Sequence, residues 1–212
     1  MIDKSLIDYR VYLVLDPDLC ADFGMVETAV AAAQAGAGLV QLRAPGWKKK
    51  AMYDCALALK EKLAALNVPL IIDDHVDVAM AVQADGIHVG QKDLPVDVVR
   101  KLVGPDMIVG LSINSLDELK QMDPDRVDYI GVGPVFRTST KKDAASPIGL
   151  KGLEAIVRAS LVPAVGIGGI KACHMGEVAA TGAKGAAVVS AICGTRDPAL
   201  ATEALLSAWQ AR

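Results

Sequence analysis

The sequence has few aromatic residues, no excess of basic charge and no long apolar run, and each shortage excludes a class of protein. Aromatic side chains make up 4% of the 212 residues, and the formal net charge is −3. A nucleic-acid-binding protein usually carries a basic stripe, which this chain lacks. A membrane span needs roughly 20 apolar residues in a row. The polar first ten residues do not match a signal peptide, so we expect a cytoplasmic protein with no membrane or nucleic-acid partner.

The cysteines are few and scattered. The four are Cys20, Cys55, Cys173 and Cys193. Zinc and redox sites use closely spaced cysteines such as C-x-x-C, and no pair has such a spacing. We therefore expect reduced thiols, which agrees with a cytoplasmic location.

Short apolar runs rich in β-branched residues alternate with segments of helical period along the chain. Hydrophobic residues make up 52% of it, which suits strands buried on both faces. The predicted strands are residues 11–15, 39–43, 70–73, 86–90, 108–113, 129–135, 164–168 and 186–192. A closed barrel and a large doubly wound sheet both fit eight alternations, but only the barrel leaves no exposed edge. We predict one α/β domain, residues 1–212, folded as a single (β/α)8 TIM barrel.

Polar residues at the carboxyl ends of the strands are the candidates for a site, because TIM-barrel enzymes carry their chemistry there. Gln41 and Arg43 share one face of the second strand. A buried Arg needs an acidic partner or an anionic ligand, and both remain open for Arg43. His88 lies within an alternating strand, where we expect a hydrogen-bonded core histidine.

Two acidic residues follow neighbouring strands, Asp74 after the third and Asp93 after the fourth. Adjacent strands lie about 4.8 Å apart, so both carboxylates reach a shared ion such as Mg²⁺, which takes one or two carboxylates plus waters and phosphates. Each Asp also precedes a predicted helix, and Asp is a favoured N-cap residue. The pattern alone favours capping, with metal binding as the alternative.

The later strands end in residues that suit phosphate. A loop at residues 137–149 is long enough to be functional. It carries Thr138, Ser139, Thr140 and Lys141, and hydroxyls with a lysine commonly hold phosphate, although most such runs are solvated loops. Ser112 by itself is more typical of a turn hydroxyl than of a catalytic group. The remaining candidates, at the glycine-rich end of the seventh strand and after the eighth, are Gly168, Val189 and Ser190.

Together these motifs resemble the thiamine-phosphate synthase family. Residues 85–95 read DGIHVGQKDLP, similar to the family signature DGxHxGQxDLP, and residues 133–141 read GPVFRTSTK, similar to GPVFxTxTK. Shorter matches are VQLR at 40–43, GLS at 110–112, GIGG at 166–169 and VSAI at 189–192. The resemblance covers nearly the whole chain, with the motifs in the same order.

The resemblance implies a transferase of thiamine biosynthesis that joins two small-molecule substrates, hydroxymethylpyrimidine diphosphate and hydroxyethylthiazole phosphate, and releases diphosphate. It implies Mg²⁺ as cofactor, held by Asp74 and Asp93. The residues it assigns to the pyrimidine diphosphate are Gln41, Arg43, Asp73, Ser112 and Lys141. Of these, Arg43, Ser112 and Lys141 are the expected catalytic residues. Those assigned to the thiazole phosphate are Thr138, Ser139, Thr140, Gly168, Val189 and Ser190.

This chain departs from the family pattern at two positions. Asp73 stands where the family usually has Asn, and an ionised Asp accepts hydrogen bonds but does not donate them. Pro45 stands where the family usually has a Lys that contacts the diphosphate. Residues 48–50 are all Lys, and we hypothesise that one of them replaces the missing contact, although the pattern favours a solvated helix start.

Other functions also fit parts of the pattern. A thiazole tautomerase-like isomerase resembles this family in fold but generally lacks the TxTK loop and the paired metal-binding aspartates. An inactive ligand-binding or regulatory barrel is a second alternative, for which the two departures are the only argument. The sequence leaves the oligomeric state open, and a homo-oligomer is an expectation only.

Overall fold

The computed structural model describes residues 3–138, 140 and 146–210. Its strands are short apolar runs in which every residue is buried except Asp73, Ser112 and Ile167, which are partly buried. They are β1 (Val11–Leu15), β2 (Leu39–Leu42), β3 (Leu70–Asp73), β4 (Gly86–Val89), β5 (Ile108–Ile113), β6 (Tyr129–Val132), β7 (Ala164–Ile167) and β8 (Gly185–Val188).

The helices cover the outside of the strands. They are α1 (Met25–Gln34), α2 (Lys49–Ala64), α3 (Val76–Val82), α4 (Val96–Val103), α5 (Leu116–Gln121), α6 (Gly149–Ala159), α7 (Met175–Ala180) and α8 (Pro198–Gln210). In α2 the buried positions Met52, Ala56, Leu59 and Leu63 recur at helical spacing and face the strands. Over the described ranges, no helix combines the length and the apolar character of a membrane span.

The eight strands form one closed parallel barrel in chain order. Closure comes from β1, which pairs with β2 on one side and with β8 on the other. Each strand is followed by a helix that returns the chain to the opposite end of the barrel. The predicted (β/α)8 barrel is confirmed, and all eight strand carboxyl ends lie at one mouth.

The barrel interior is filled by side chains. This inner core consists of Tyr9, Tyr12, Val14, Leu39, Ile71, Ile108, Tyr129, Val165 and Ala187, all buried. A larger apolar layer lies between the strands and the helices. The interior is therefore packed, as is usual for this fold, and substrates have access to the strand ends rather than to a pore.

Two predicted strands end three or four residues earlier than expected, and those predicted at 39–43, 86–90 and 164–168 end one residue earlier. The sixth ends at Val132 because Pro134 has no N–H to continue the ladder. The eighth ends at Val188, because the amides of Ile192 and Cys193 turn back to the carbonyl of Val189. The candidate residues after these strands consequently lie in turns.

Candidate active site

The predicted site residues that the structure describes all lie at or beyond the strand carboxyl ends. Gln41 and Ser112 are within β2 and β5, Asp73 closes β3, and Arg43 follows β2 directly. The remaining described candidates are in the loops after β3, β4, β6, β7 and β8: Asp74, Asp93, Thr138, Thr140, Gly168, Val189 and Ser190. Ser139 and Lys141 lie outside the described residues.

Arg43 forms an ion pair with Asp73. Its Nε lies 3.3 Å from Oδ2 of Asp73, and the two side chains are 20% and 13% exposed. The acidic partner that the sequence left open for Arg43 is therefore present on the next strand. The pair involves Asp73, the position at which the sequence departs from the pattern of the family that it resembles.

Asp74 has an unusual backbone conformation. Its φ is 59°, in the left-handed region that Asp adopts more readily than most residues. Its amide donates to the carbonyl of His88 on β4 over 2.9 Å, and the residue is exposed. The N-cap of α3 is His75 and has no side-chain cap, so Asp74 does not cap that helix. Such conformations concentrate at functional sites.

Asp93 stabilises the turn after β4. One of its oxygens accepts from the amide of Gly90 over 2.8 Å, and the residue is exposed. The N-cap of α4 is Pro95, again with no side-chain cap. The capping alternative therefore holds for neither acid. A carboxylate has room for several hydrogen bonds or ligands beyond one amide.

His75 lies between these acids and a lysine of residues 48–50. Its Nδ1 is 2.7 Å from Nζ of Lys49, which also donates to Asp77 over 2.8 Å. Burial and the charge of Lys49 lower the pKa of His75, while the carboxylates of Asp77 and Asp93 oppose that shift. Asp93 thus acts on the residue next to Asp74. Lys50 donates within its own helix to Asp54. Of Lys49 and Lys50, therefore, only Lys49 contacts a residue of the loop after β3.

A row of hydrogen bonds crosses the barrel interior from β2 to β5. The amide nitrogen of Gln41 donates to the hydroxyl of Tyr12 over 2.7 Å, and that hydroxyl is 2.8 Å from the hydroxyl of Tyr129. Nδ1 of His88 lies 2.9 Å from the Tyr129 hydroxyl, and its Nε2 lies 2.9 Å from Oγ of Ser112. His88 is the hydrogen-bonded core histidine that its strand position predicted. The row links two candidate site residues through three buried rings.

Two glycines make room for these rings. A Cβ at Gly110 would lie 2.3 Å from the Tyr129 ring and 2.4 Å from Nδ1 of His88, and one at Gly131 would lie 3.2 Å from the His88 ring.

Sequence reasoning missed Tyr12 and Tyr129. Their positions on the inward face of β1 and β6 were the available signal, since alternate residues of a barrel strand point inward.

The loops after β6 and β7 pack tightly against one another. Gly168 has φ 99°, and a Cβ there would lie 2.5 Å from that of Pro134. The amide of Phe136 donates to the carbonyl of Gly168 over 3.0 Å. The Phe136 ring stacks on His174 with centroids 4.2 Å apart. Glycine is required at 168 both by the positive φ and by this close approach.

The threonines of the β6 loop are half-buried beside this turn. The amide of Thr140 donates to Oγ1 of Thr138 over 3.3 Å, which curls the backbone. The neighbouring candidates Ser139 and Lys141 lie outside the described residues, so the predicted TxTK cradle is described only at its two threonines.

A lysine that sequence reasoning missed lies at the glycine-rich end. Lys171 follows the GIGG turn, and its Nζ donates to Oγ of Ser190 over 2.7 Å. Among the described residues it has no carboxylate partner within ion-pair distance. The signal that predicts it is its place in sequence, directly after a turn typical of phosphate binding. Lys171 thereby connects the turns after β7 and β8.

Within residues 3–138, 140 and 146–210, no three His, Cys, Asp or Glu side chains gather as a self-sufficient metal site. Mg²⁺ differs from zinc here, because two carboxylates with waters and substrate phosphates are enough to hold it. Asp74 and Asp93 are exposed, follow adjacent strands and are not used as helix caps. These two side chains fit such an ion.

Comparison with known proteins agrees with this arrangement. Residues 11–192 match the family described as thiamine monophosphate synthase. A thiamine-phosphate synthase of Laribacter hongkongensis (strain HLHK9) is 52% identical over 203 residues, which cover 95% of this chain and 96% of that protein. One of Psychrobacter sp. (strain PRwf-1) is 47% identical over 208 residues, covering 97% of each.

Solved structures give the same picture. Thiamine phosphate pyrophosphorylase from Pyrococcus furiosus superposes with a TM-score of 0.87 at 34% identity, covering 96% of each chain. A 3-hexulose-6-phosphate synthase superposes with a TM-score of 0.68 at 18% identity, covering 94% of this chain and 99% of that one. The second likeness concerns the fold alone.

Proposed function

Because the chain belongs to the thiamine monophosphate synthase family, we infer that it is a transferase that joins hydroxymethylpyrimidine diphosphate to hydroxyethylthiazole phosphate. The products are thiamine phosphate and diphosphate. The observation that carries this function is the likeness to thiamine-phosphate synthases over nearly the whole chain, at up to 52% identity. The residues at the strand ends agree with this function. Acidic residues follow β3 and β4, glycine-rich turns follow β6 to β8, and both groups lie at the same end of the barrel.

The pyrimidine diphosphate occupies the side formed by β2 to β5. Gln41 is set against Tyr12, which fixes its amide for recognition of the pyrimidine. Arg43 and Ser112 contact the diphosphate, and Lys141 completes the set from the β6 loop. Asp73 accepts from the amino group of the pyrimidine, a role that an acceptor can fill, while it holds Arg43.

Mg²⁺ is the cofactor that we propose for this side, with Asp74 and Asp93 as the residues that would hold it. Bound there, it would offset charge on the diphosphate as that group leaves. Support comes from the exposure of both carboxylates and from their place at the ends of adjacent strands. Lys49, held at His75, is the lysine of residues 48–50 best placed to supply the charge that Pro45 does not.

The thiazole phosphate occupies the side formed by β6 to β8. Its proposed contacts are the residues that the family resemblance assigns: Thr138, Ser139, Thr140, Gly168, Val189 and Ser190. We add Lys171, because its ammonium group lies at Ser190 and has no ionic partner among the described residues. A phosphate at this point would gain a full positive charge as well as backbone amides.

The residues of the chain act by positioning and by charge. Departure of diphosphate concentrates negative charge on its oxygens, which Arg43, Lys141 and the Ser112 hydroxyl stabilise as donors fixed in advance. The electron-rich aminopyrimidine carries the developing methylene cation, and the thiazole nitrogen attacks that carbon. No side chain serves as a nucleophile in this scheme, so the two substrates must be held facing each other.

A cytoplasmic location is part of the proposal. It is supported by the four cysteines, all of which are free, as expected in a reducing compartment. A homo-oligomer stays a prediction.

Turnover with authentic substrates tests the function directly. Purified protein is incubated with both substrates and Mg²⁺, and thiamine phosphate and diphosphate are quantified with time. The expected result is equal formation of both products, lost on adding EDTA and restored by excess Mg²⁺. Product formation that EDTA does not affect would remove Mg²⁺ from the proposal. No product at all would favour a tautomerase or a binding protein, which isomerisation of a thiazole tautomer and ligand titration then separate.

A further inference from the structure

The four hydrogen bonds between Gln41 and Ser112 have a direction that their chemistry fixes. The Gln41 amide nitrogen only donates, so the hydroxyl oxygen of Tyr12 accepts from it. Tyr12 must then use its own proton elsewhere. In the part of the chain that the structure describes, its one other hydrogen-bond partner is the hydroxyl of Tyr129. Tyr12 therefore donates to Tyr129, since a buried hydroxyl proton without an acceptor is costly.

The direction continues through the histidine. Tyr129 accepts from Tyr12, so its proton goes to Nδ1 of His88. Burial raises the pKa of Tyr12 and of Tyr129, so both rings keep their protons at neutral pH. An imidazole that accepts at Nδ1 carries its proton on Nε2. Nε2 of His88 consequently donates to Oγ of Ser112.

This leaves the Ser112 hydroxyl as an outward donor. Its oxygen already accepts from His88, so its own proton is directed away from the imidazole. Ser112 is half-buried at the mouth of the barrel, where the diphosphate is proposed to bind. Diphosphate oxygens only accept hydrogen bonds. A row running in the opposite direction would turn the Ser112 proton inward and present a lone pair to an anionic group.

We propose that His88 is a positioning residue that fixes Ser112 as a hydrogen-bond donor to the diphosphate, with its own tautomer set by Tyr129, Tyr12 and Gln41. The orientation of the Gln41 amide, which we propose recognises the pyrimidine, thereby sets the direction in which the Ser112 hydroxyl donates on the other side of the barrel. The inference rests on the proposed function for its substrate. The tautomer itself is a property of the free protein.

Nitrogen NMR of the free protein tests the direction. The chain has three histidines, and spectra of ¹⁵N-histidine-labelled protein with and without His88→Gln assign the His88 pair of nitrogens. The expected result at pH 8 is a proton on Nε2 and none on Nδ1. A flipped Gln41 amide would reverse all four bonds, so a proton on Nδ1 would overturn the proposal.

Kinetics test the consequence. His88→Met removes the donor to Ser112 while keeping an apolar side chain of similar length. We expect kcat/KM for the pyrimidine diphosphate to fall roughly 5- to 10-fold, as for one lost hydrogen bond, with KM for thiazole phosphate unchanged. His88→Gln, whose amide still donates toward Ser112, should recover most of the loss.

A double-mutant cycle separates positioning from packing. If His88 acts through Ser112, then His88→Met should lower kcat/KM little further in the Ser112→Ala background, because coupled residues are not additive. Additive losses, or equal effects on both substrates, would mean that His88 only supports the fold and would overturn the proposal. Absence of turnover in the wild-type protein would instead reject the proposed function, and the NMR result would still decide the direction of the row.

Discussion

In Asp73→Asn, the carboxylate that lies 3.3 Å from Nε of Arg43 becomes an uncharged amide. Both side chains are largely shielded, at 13% and 20% exposure, so screening by solvent is limited. Hydrogen bonds to charged groups contribute about 1.5–3 kcal/mol, and the Asn oxygen keeps part of the contact with Arg43. We expect the free energy of unfolding to fall by about 1–2 kcal/mol, which lowers Tm by roughly 2–8 °C in a chain of this size.

The same change should strengthen binding of the pyrimidine diphosphate. In the free protein, Asp73 already neutralises Arg43, and its charge also repels the diphosphate. The substrate must therefore compete with Asp73 for the guanidinium. If the substrate no longer has to displace an interaction worth about 1–2 kcal/mol between Asp73 and Arg43, KM falls by roughly 5- to 30-fold.

The assay combines thermal unfolding of the free protein with initial rates at varied pyrimidine diphosphate. Asp54→Asn is the matched control, because Asp54 forms an exposed pair with Lys50 in α2, and we expect it to change neither quantity. The reasoning is refuted if Asp73→Asn lowers Tm and also raises KM. That combination would mean that Asp73 holds Arg43 ready for the substrate rather than competing for it.

Three further substitutions probe the rest of the site. Lys141→Ala should lower kcat by about 10²–10³, the usual loss for one fixed donor to developing charge, and steady-state rates within twofold of wild type would remove it from the mechanism. Lys171→Met should raise KM for thiazole phosphate by about 5- to 10-fold through loss of a charged contact; Lys184→Met is the control, and an equal effect from both would contradict a local role. Asp93→Asn should raise the Mg²⁺ concentration for half-maximal rate by at least about tenfold, the lower end of the loss caused by removing even an outer-shell partner. An unchanged Mg²⁺ titration, as expected for Asp97→Asn, would exclude Asp93 as a ligand.

The barrel was predictable because its signals are local. Each β-branched run and each helical segment carries its own period, and eight of them leave little choice of topology. The ends of β6 and β8 were less predictable, since Val135 and Ile192 continue the apolar pattern after the backbone has turned. Pro134, one position before the predicted end at Val135, would have been the better guide.

The position of the described candidates at the strand carboxyl ends was predictable, whereas their contacts with one another were less so. The ends of neighbouring strands meet in any parallel barrel, so Arg43 was expected near Asp73. The sequence left open only whether the partner of Arg43 is an acidic side chain or an anionic ligand. Tyr12 and Tyr129 are 117 positions apart, and no local pattern reports a hydrogen bond across that separation. Their register around the closed barrel was needed to find it.

The filled interior of the barrel also determines how substrates and products reach the site. With Tyr12 and Tyr129 joined across the lumen, nothing passes from one end of the barrel to the other. Both substrates must therefore enter, and both products leave, through the one mouth of the barrel at the strand carboxyl ends.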